Sequence, residues 1–461
     1  MKKIGITSLL IIIFSYQAGA TSLLEIYELA AQNDPFIKEA LANKEAVIEN
    51  KPQARSLILP QISSSATFSD TDVNGQSTFQ QKFINPVTGD ENVLTSNTDF
   101  IQESETLQWD ITMRQTIFDY GVWMNLRKAN KIAAQAEVDY LAAEQDLIIR
   151  VSSAYFNILG AEDTLEAEQA ARQAIEKQLD QAQKRFDVGL TAITDVQEAR
   201  AAYDQSIANE IIAKRNLATA KELLRSITDN YPGKLKKPEN SLPLIMPNPQ
   251  SENDWVDTSL EQNLNLISAE VGVEIAKSEV KVQRGGHLPS IGAQLARRDN
   301  DTDSLRADNG GSLSPADSEN ISEGIGIQMT LPLYSGGQVR SKVKQAVARH
   351  RASKEKLERI ARETTRVARD SYLGVTTGIA TVKALEQSVM SSATALQATE
   401  AGYEVGTRTT VDVLDARRRL FSAQKNLAIS KYDYILNILK LKQAAGTLNI
   451  EDLEQIDSWL M

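Results

Sequence analysis

The chain has 461 residues, with 50 Lys or Arg against 61 Asp or Glu, and its formal net charge is −11. It contains no cysteine and only two histidines, which excludes disulfide scaffolds, thiolate zinc sites and cysteine nucleophiles. The acidic balance disfavours a nucleic-acid surface, and the length allows about three domains.

The first twenty residues have the pattern of a secretion signal. Lys2 and Lys3 precede an apolar run over 4–14, and Ala18 and Ala20 are small residues of the kind that a signal peptidase recognises. We therefore predict a Sec signal peptide over 1–20. A lipid anchor on a cysteine is excluded by composition. Since no stretch reaches the roughly 18 apolar residues of a transmembrane helix, any integral membrane contact must be made by strands.

The first half of the mature chain, 21–229, is predicted to begin with a helix and two strands. Residues 107–113 alternate between apolar and polar side chains, and 62–68 show a weaker alternation. We predict strands at about 59–70 and 106–118, separated by an exposed polar loop over 71–106. Eleven strand residues rise about 36 Å, enough to cross an outer-membrane apolar band when tilted. Alternation alone favours a soluble antiparallel sheet, but the signal peptide and the absence of cysteine shift the balance toward a membrane barrel.

Two long segments without proline, 87–231 and 333–461, are the helical parts of the chain. In the first we predict a long helix at about 121–187 and a return helix at about 192–228. A helix of this length is about 100 Å long, which is typical of a coiled coil.

The second half is predicted to repeat this order after a proline-rich linker or equatorial region over 230–262. The second repeat, 263–446, is predicted to contain a helix and then four elements. These are strands at about 288–298 and 323–334, separated by a polar loop over 299–322, a long helix at about 338–404 and a return helix at about 410–445. Residues 447–461 are predicted to form a C-terminal equatorial segment.

The repetition is visible in the letters themselves. The segment RFDVGLTAITDVQEAR at 185–200 aligns with GYEVGTRTTVDVLDAR at 402–417 at a constant offset of 217. Similarly, LPQI at 59–62 corresponds to LPSI at 288–291. The chain is therefore predicted to be two copies of one unit.

Four strands cannot form a membrane barrel alone, because unpaired backbone groups at two sheet edges are costly in hydrocarbon. Oligomerisation must close the sheet. Two chains would give eight strands with a filled interior, whereas three or more would leave room for a water-filled lumen. The sequence physics does not choose between these numbers.

With LPLYSGG at 331–337 and the paired segments VGL…ITDVQEAR and VGT…VDVLDAR, the chain resembles the TolC family of outer-membrane efflux proteins over 23–448. The resemblance implies a mixed α and β membrane protein. Its homotrimer would form a 12-stranded outer-membrane β-barrel, with four strands per chain, continued by a long periplasmic α-helical coiled-coil barrel. It also implies an outer-membrane location with a large periplasmic part.

The function implied by the resemblance is a passive exit duct of tripartite efflux or type I secretion systems. The implied partners are a periplasmic adaptor, an inner-membrane pump of RND, ABC or MFS type, and outer-membrane lipid. The cargo is not determined by the sequence, because it depends on the pump that docks.

In the family, acidic side chains at the helical tip narrow the periplasmic entrance, and the matching positions here are Asp412 and Asp415. Their spacing of three places both carboxylates on one helix face. In a trimer they would form two stacked rings that focus negative potential across the mouth. In an arbitrary protein, two such residues are simply solvated.

The resemblance implies two further sets of site residues. Polar links between the two helical hairpins hold the closed state, and the matching positions are Tyr403 and Arg408 against Thr194 and Asp195, with Gln178 and Glu400 as a further pair. The adaptor-contact tips match Val188, Gly189, Leu190, Val405, Gly406 and Thr407. The alternatives are ordinary tip polarity, a core position for the Tyr403 ring, and simple helix-to-helix turns that need glycine.

Nothing in the sequence indicates an enzyme. His287 and His350 are 63 residues apart without a ligand cluster at metal-binding spacing, and the chain has no phosphate-binding glycine loop. We expect no catalytic residue, cofactor or metal. The alternative function is a periplasmic coiled-coil adaptor or scaffold that never forms a pore.

Overall fold

The computed structural model describes residues 20–87, 89–238 and 242–460. Apart from Ala20, the predicted signal peptide over 1–20 lies outside these residues. None of the helices in the described part of the chain combines the length and the apolar character needed to span a bilayer.

The chain divides into two compact units, and its longest helices contribute residues to both. The strand unit comprises Ala46–Ala134 and Val271–Lys354. The helical unit comprises the described residues up to Glu45, those within Gln135–Glu270, and those from Glu355 onward.

The strand unit contains one antiparallel sheet. Its order is β1-β2-β3, and β3 then pairs with β4 and with β5. The strands are β1 Gln61–Ile84, β2 Glu91–Phe118, β3 Ser290–Asp308, β4 Ser314–Pro315 and β5 Ser318–Thr330. Among the described strands, β1 pairs only with β2, and β5 and the short β4 pair only with β3. Thus β1 forms one edge of the sheet, and β5 together with β4 forms the other.

The strands are longer than predicted, and the two polar stretches predicted as loops, 71–106 and 299–322, are mostly strand. Register continues to the pair Ile84 and Glu91. Polar side chains join the two strands there: Gln76 Nε2 donates to Asp99 Oδ1 over 2.8 Å. The apolar alternation did not predict these strand segments, because serine, threonine and glutamine interrupt it on both faces. Threonine itself favours strands. The two-residue β4 was also not predicted.

At its other end, β5 stops at Thr330, before the predicted end at 334. Pro332 lacks the backbone N–H that a ladder needs. Gly336 and Gly337 follow with φ of +61° and +80°, a backbone conformation that glycine adopts without strain. They turn the chain into the next long helix.

The two faces of the sheet differ in polarity, and the difference reverses along the β1–β2 hairpin. In the part of the hairpin before Gly75, here called the lower half, residues 61–74 pair with 101–114. There Phe68 lies opposite Leu107 on an apolar face, and Asp110 forms a 2.7 Å ion pair with Arg298 on the other face. Beyond Gly75 the arrangement changes. There Phe79, Phe83 and Leu94 share the face that is polar in the lower half. The face that is apolar in the lower half carries Lys82, Glu91 and Asp99.

Ten helices are present in the described residues. They are α1 Leu23–Asn33, α2 Pro35–Ile48, α3 Asn50–Ser56, α4 Tyr120–Asp187, α5 Ile193–Thr228, α6 Glu252–Gln262, α7 Leu264–Gly285, α8 Gln338–Glu404, α9 Thr410–Ala444 and α10 Ile450–Asp457. The α4–α5 and α8–α9 pairs form two helical hairpins.

The core of the helical unit is built around buried aromatic rings. Phe156 on α4 packs edge-on to Tyr155 and stacks on Tyr432 of α9. The Tyr432 hydroxyl donates to Asp163 over 2.5 Å, and Asp163 also pairs with Lys237 over 2.6 Å. This cluster therefore joins α4, α9 and the segment that follows α5.

Three tyrosine hydroxyl groups in this core all form hydrogen bonds. Tyr155 donates to the Lys236 carbonyl over 2.8 Å, and Tyr434 accepts from the Ile245 N–H over 2.7 Å. Burial raises the pKa of Tyr155, Tyr432 and Tyr434, and in Tyr432 the neighbouring Asp163 raises the pKa further. The phenols thus stay neutral over the ordinary pH range.

Candidate functional site

The two helical hairpins end in turns of the same design. The N–H of Gly189 donates to the Phe186 carbonyl over 2.9 Å, and the N–H of Leu190 donates to the Arg185 carbonyl over 2.8 Å. This pair of bonds is a Schellman motif, which requires a left-handed residue after the helix. Gly189 fills that position with φ of +77°.

The second tip repeats this arrangement at the offset of 217 found in the sequence. Gly406 has φ of +79° and its N–H donates to the Tyr403 carbonyl over 3.1 Å, while the N–H of Thr407 donates to the Gly402 carbonyl over 2.9 Å. Each glycine has open space where a Cβ would lie. Glycine is therefore needed here for backbone conformation and not for close packing.

The predicted adaptor-contact tips are exposed and largely apolar. Val188, Leu190 and Val405 expose 68%, 75% and 75% of their surface, and Thr407 is exposed beside them. Val188 and Leu190 flank Gly189, and Val405 precedes Gly406, so both turns expose apolar side chains.

The first predicted gate residue, Asp412, lies in the opening turn of α9 and caps that helix. Its backbone N–H donates to Thr409 Oγ1 over 3.2 Å, and its Oδ2 accepts from the Thr409 N–H over 2.9 Å, so the two residues form a capping box. The bonds from the Thr409 backbone and hydroxyl, followed by the charge of Arg408, lower the pKa of Asp412. The carboxylate is therefore held ionised.

The second predicted gate residue, Asp415, is one turn further along α9. It is paired with Arg418 on the same helix. Arg417, Arg418 and Arg419 follow directly on Asp415 and Ala416, so the acidic turn is bordered by a basic one. Of the two carboxylates, Asp412 is the one whose charge is not matched by an ion pair at salt-bridge distance in the described residues.

The predicted link between Tyr403 and Asp195 is not made within the chain. The Tyr403 hydroxyl accepts instead from Thr410 Oγ1 over 3.4 Å, and its ring lies under the Arg185 guanidinium at 4.6 Å. Asp195 accepts from Thr191 at the start of its own helix. The Tyr403 hydroxyl and Asp195 therefore each bind a residue of their own hairpin. The Tyr403 ring contacts a cation of the other hairpin.

Thr194 and Arg408, which were predicted to join that link, are both exposed. Arg408 folds back over its own turn: a Cβ placed on Gly402 would lie 2.8 Å from Arg408 Cγ. Neither side chain contacts the other hairpin through any hydrogen bond or ion pair in the described part of the chain.

The predicted pair Gln178 and Glu400 is also not formed within the chain. Glu400 is held by Arg417, with 2.7 Å between Nη2 and Oε1. Arg417 Nη1 also donates to the Ala174 carbonyl on α4 over 2.8 Å. The Gln178 side chain is buried and its Nε2 has no hydrogen-bond partner among the described residues.

Arg417, Arg185, Thr409 and Thr410 are therefore tip residues that the sequence analysis did not single out. The only sequence signals were the spacing of Thr409 and Asp412, which matches a capping box, and the repeat alignment of Arg417 with Arg200. In the described residues, no group of histidines or carboxylates is arranged to hold a metal ion.

Comparison with known proteins gives a consistent result. The chain matches the family model described as outer membrane efflux protein over residues 26–230 and again over 255–447. It is 36% identical over 449 residues to outer membrane protein TolC of Escherichia coli (strain K12), covering 97% of this chain and 86% of that protein. It is 29% identical to the alkaline protease secretion protein AprF of Pseudomonas aeruginosa, covering 95% of this chain and 87% of that protein.

Among solved structures, the fold is similar to that of the outer membrane protein VceC from Vibrio cholerae. The TM-score is 0.71 at 19% identity, covering 92% of this chain and 96% of that chain. At this level of identity the likeness concerns the fold alone.

Proposed function

The chain belongs to the outer membrane efflux protein family and is an outer-membrane exit duct for efflux and type I secretion, and we propose that it works as a homotrimer gated at its helical tips. The alternative, an adaptor or scaffold without a pore, has no support from these relatives. We propose no enzymatic step, since the matched family consists of efflux proteins.

The observation that carries the proposal of an oligomer is the pair of open sheet edges, and the number of three copies is the one that the family resemblance implies. Each chain supplies four long strands, of which β1 and β5 are the edges. Pairing β5 of one copy with β1 of the next removes every edge, as a strand structure in hydrocarbon requires. Three copies give a 12-stranded barrel, wide enough for a lumen.

The polarity of the sheet supports this arrangement. Its lower half has one face with Phe68, Leu107 and Ile325, which suits lipid, and one face with the Asp110–Arg298 pair, which suits water. A closed barrel places the first face outward and the second inward. Within each copy, the twofold match of the family model supports an internal repeat.

At the periplasmic end, we propose that Asp412 forms the principal acidic ring of the closed mouth and Asp415 the weaker one. The lowered pKa of Asp412 keeps its charge, whereas Asp415 is neutralised locally by Arg418. Three Asp412 carboxylates close to one axis attract cations.

The closed-state latch is proposed to act between copies of the chain. Thr194 and Arg408 are exposed at the tip and thus available to a neighbouring copy. Because exposed polar links contribute only about 0–1 kcal/mol each, a partner that binds the open state better can break them. We propose that an adaptor does so by covering Val188, Leu190 and Val405, and that an inner-membrane pump then drives the cargo.

The test is single-channel recording of the purified full-length protein in planar bilayers. We expect a small, cation-favouring current in the wild type, and loss of the cation preference in Asp412→Asn/Asp415→Asn. Asp180→Asn removes an exposed α4 carboxylate that pairs with Lys184 and serves as the control. An anion preference in the wild type would overturn the gate assignment, and silence from a well-folded oligomer would return the adaptor alternative.

A further inference from the structure

Arg417 joins the two helical hairpins of one chain near the tip. From α9 its guanidinium reaches Glu400 of α8, with Nη2 and Nε at 2.7 and 3.1 Å from Oε1. Its Nη1 donates over 2.8 Å to the Ala174 carbonyl of α4. Only 20% of the side chain is exposed. Charge-assisted bonds that are partly shielded from water are the stronger kind.

A second donor on α4 is unused in the described residues. Gln178 is one turn after Ala174 on the same face of α4, and helical side chains lean toward the N-terminus, which directs the Gln178 amide back toward the Ala174 turn. The residue is only 3% exposed, and its Nε2 has no acceptor in the described part of the chain. A buried amide without an acceptor destabilises the state that contains it.

Arg417 thus holds both Glu400 and the Ala174 carbonyl, and the unused Gln178 amide belongs to the next helical turn after that carbonyl. The guanidinium carries a full charge and binds in a fork, so it holds Glu400 in preference to a neutral amide. We propose that Arg417 is a positioning residue that holds the two hairpins together, a contact here called the clasp. We propose also that Gln178 is a reserve donor, which forms a hydrogen bond to Glu400 when the bond between Arg417 and Glu400 breaks. The clasp itself does not depend on the proposed channel function; only its effect on the mouth does.

The first test is a double-mutant cycle on thermal unfolding of the full-length protein, followed by circular dichroism at one fixed guanidinium chloride concentration. We expect Arg417→Met to lower the melting temperature by about 2 °C. Gln178→Leu alone should leave it unchanged or raise it, because it removes an unsatisfied amide. The double variant should lose more than the sum of the two, since Glu400 then has neither donor.

The matched control is Arg419→Met, which removes the same charge from an exposed position on the same helix. We expect it to change the melting temperature less than Arg417→Met does, and to show no coupling to Gln178→Leu. Additive effects of Arg417→Met and Gln178→Leu would overturn the reserve-donor proposal. A loss of stability in Gln178→Leu alone would overturn it as well, because the amide would then already be in use in the wild type.

The second test separates the clasp from the gate. Arg417→Lys keeps the charge but lacks the planar fork, so we expect it to retain part of the link to Glu400 and to lie between wild type and Arg417→Met in stability. In planar bilayers, conductance should rise in Arg417→Met/Gln178→Leu and rise less in Arg417→Lys. If the wild type conducts and the double variant conducts equally, Arg417 does not position the mouth. If the wild type is silent, the proposed function fails, while the unfolding cycle still decides the clasp.

Discussion

Thr409 and Asp412 bind each other reciprocally at the start of α9, with backbone N–H donors at 2.9 and 3.2 Å from the partner's side-chain oxygen. The residue proposed to carry the charge of the mouth is therefore also the residue that caps its helix. Replacement of Asp412 by alanine would remove both properties at once, so the two must be separated by choosing the substitution.

Asp412→Asn keeps a side-chain acceptor for the Thr409 N–H but removes the charge. We expect it to abolish most of the cation preference and to cost only about 0.3–1 kcal/mol of stability, because the bond to the Thr409 N–H is kept and only the favourable negative charge in the first turn of the helix is lost. Thr409→Ala should do the reverse, costing about 1 kcal/mol of stability while the preference remains. Reversal potentials in asymmetric salt and thermal unfolding measure the two effects, and exchange of the two phenotypes would refute the division of roles.

The cation preference should also survive acidification. Thr409 bonds and Arg408 depress the pKa of Asp412, so the charge and its contribution to the helix start are present above the ordinary aspartate pKa of about 3.9. Both are lost only as the pH falls through the lower pKa of the folded state. Reversal potentials taken from pH 7 down to pH 4 should therefore stay nearly constant. In Thr409→Ala the preference should fade at higher pH than in the wild type.

Alkaline pH should weaken the helical unit. The pKa values of Tyr155, Tyr432 and Tyr434 are raised in the folded state, so their contribution is complete below the unfolded tyrosine pKa of about 10 and is lost above it. Each retained proton lowers the free energy of unfolding by about 1.4 kcal/mol per pH unit in that range. Denaturant titrations between pH 9 and 11 measure the slope. Tyr434→Phe should reduce it, whereas Tyr334→Phe, at a position that is 88% exposed, should reduce it less.

The two tip turns should respond alike to loss of their glycine. A side chain at φ near +77° or +79° is strained, and we expect Gly189→Ala and Gly406→Ala each to cost about 1 kcal/mol. Gly324 has open space around it and no positive φ, so Gly324→Ala should cost less. Unfolding midpoints provide the comparison. Equal losses at Gly324 and Gly189 would show that the backbone conformation is not what selects glycine at the tips.

A row of like charges crosses the sheet above its apolar band. Glu105 lies directly opposite Asp70 on one side and Asp303 on the other, and like charges in this position repel. We expect Glu105→Gln to stabilise the protein by about 0.2–1 kcal/mol, with less gain at high salt. Glu91 lies 3.9 Å from Lys82, so Glu91→Gln should bring no gain. Thermal unfolding at two salt concentrations tests both variants.

Much of the architecture could be predicted from the sequence, and the failures have physical causes. The alternation over 107–113 marks a strand because one face is apolar. Gln76 and Thr78 lie in a strand segment whose apolar face is interrupted by serine and glutamine, so no continuous periodicity marks it. At the tips, the two turn glycines could be predicted, because the left-handed backbone conformation after a helix favours glycine. The partners of Tyr403, Asp195, Gln178 and Glu400 could not be predicted, because a polar side chain does not specify which of several neighbours it binds. In the structure, Glu400 binds Arg417 and not Gln178.

The open edges of the sheet also bear on how the protein is made. In the proposed trimer, β1 and β5 are paired only after a chain has met its copies; until then both strands offer unpaired backbone groups, and such edges invite aggregation. The β1 edge is rich in serine, threonine and glutamine, which makes indiscriminate pairing less favourable. On β5, Ile325, Ile327 and Met329 are exposed beside the open edge. This 13-residue strand is therefore the edge at which an unassembled chain is most open to non-native strand pairing.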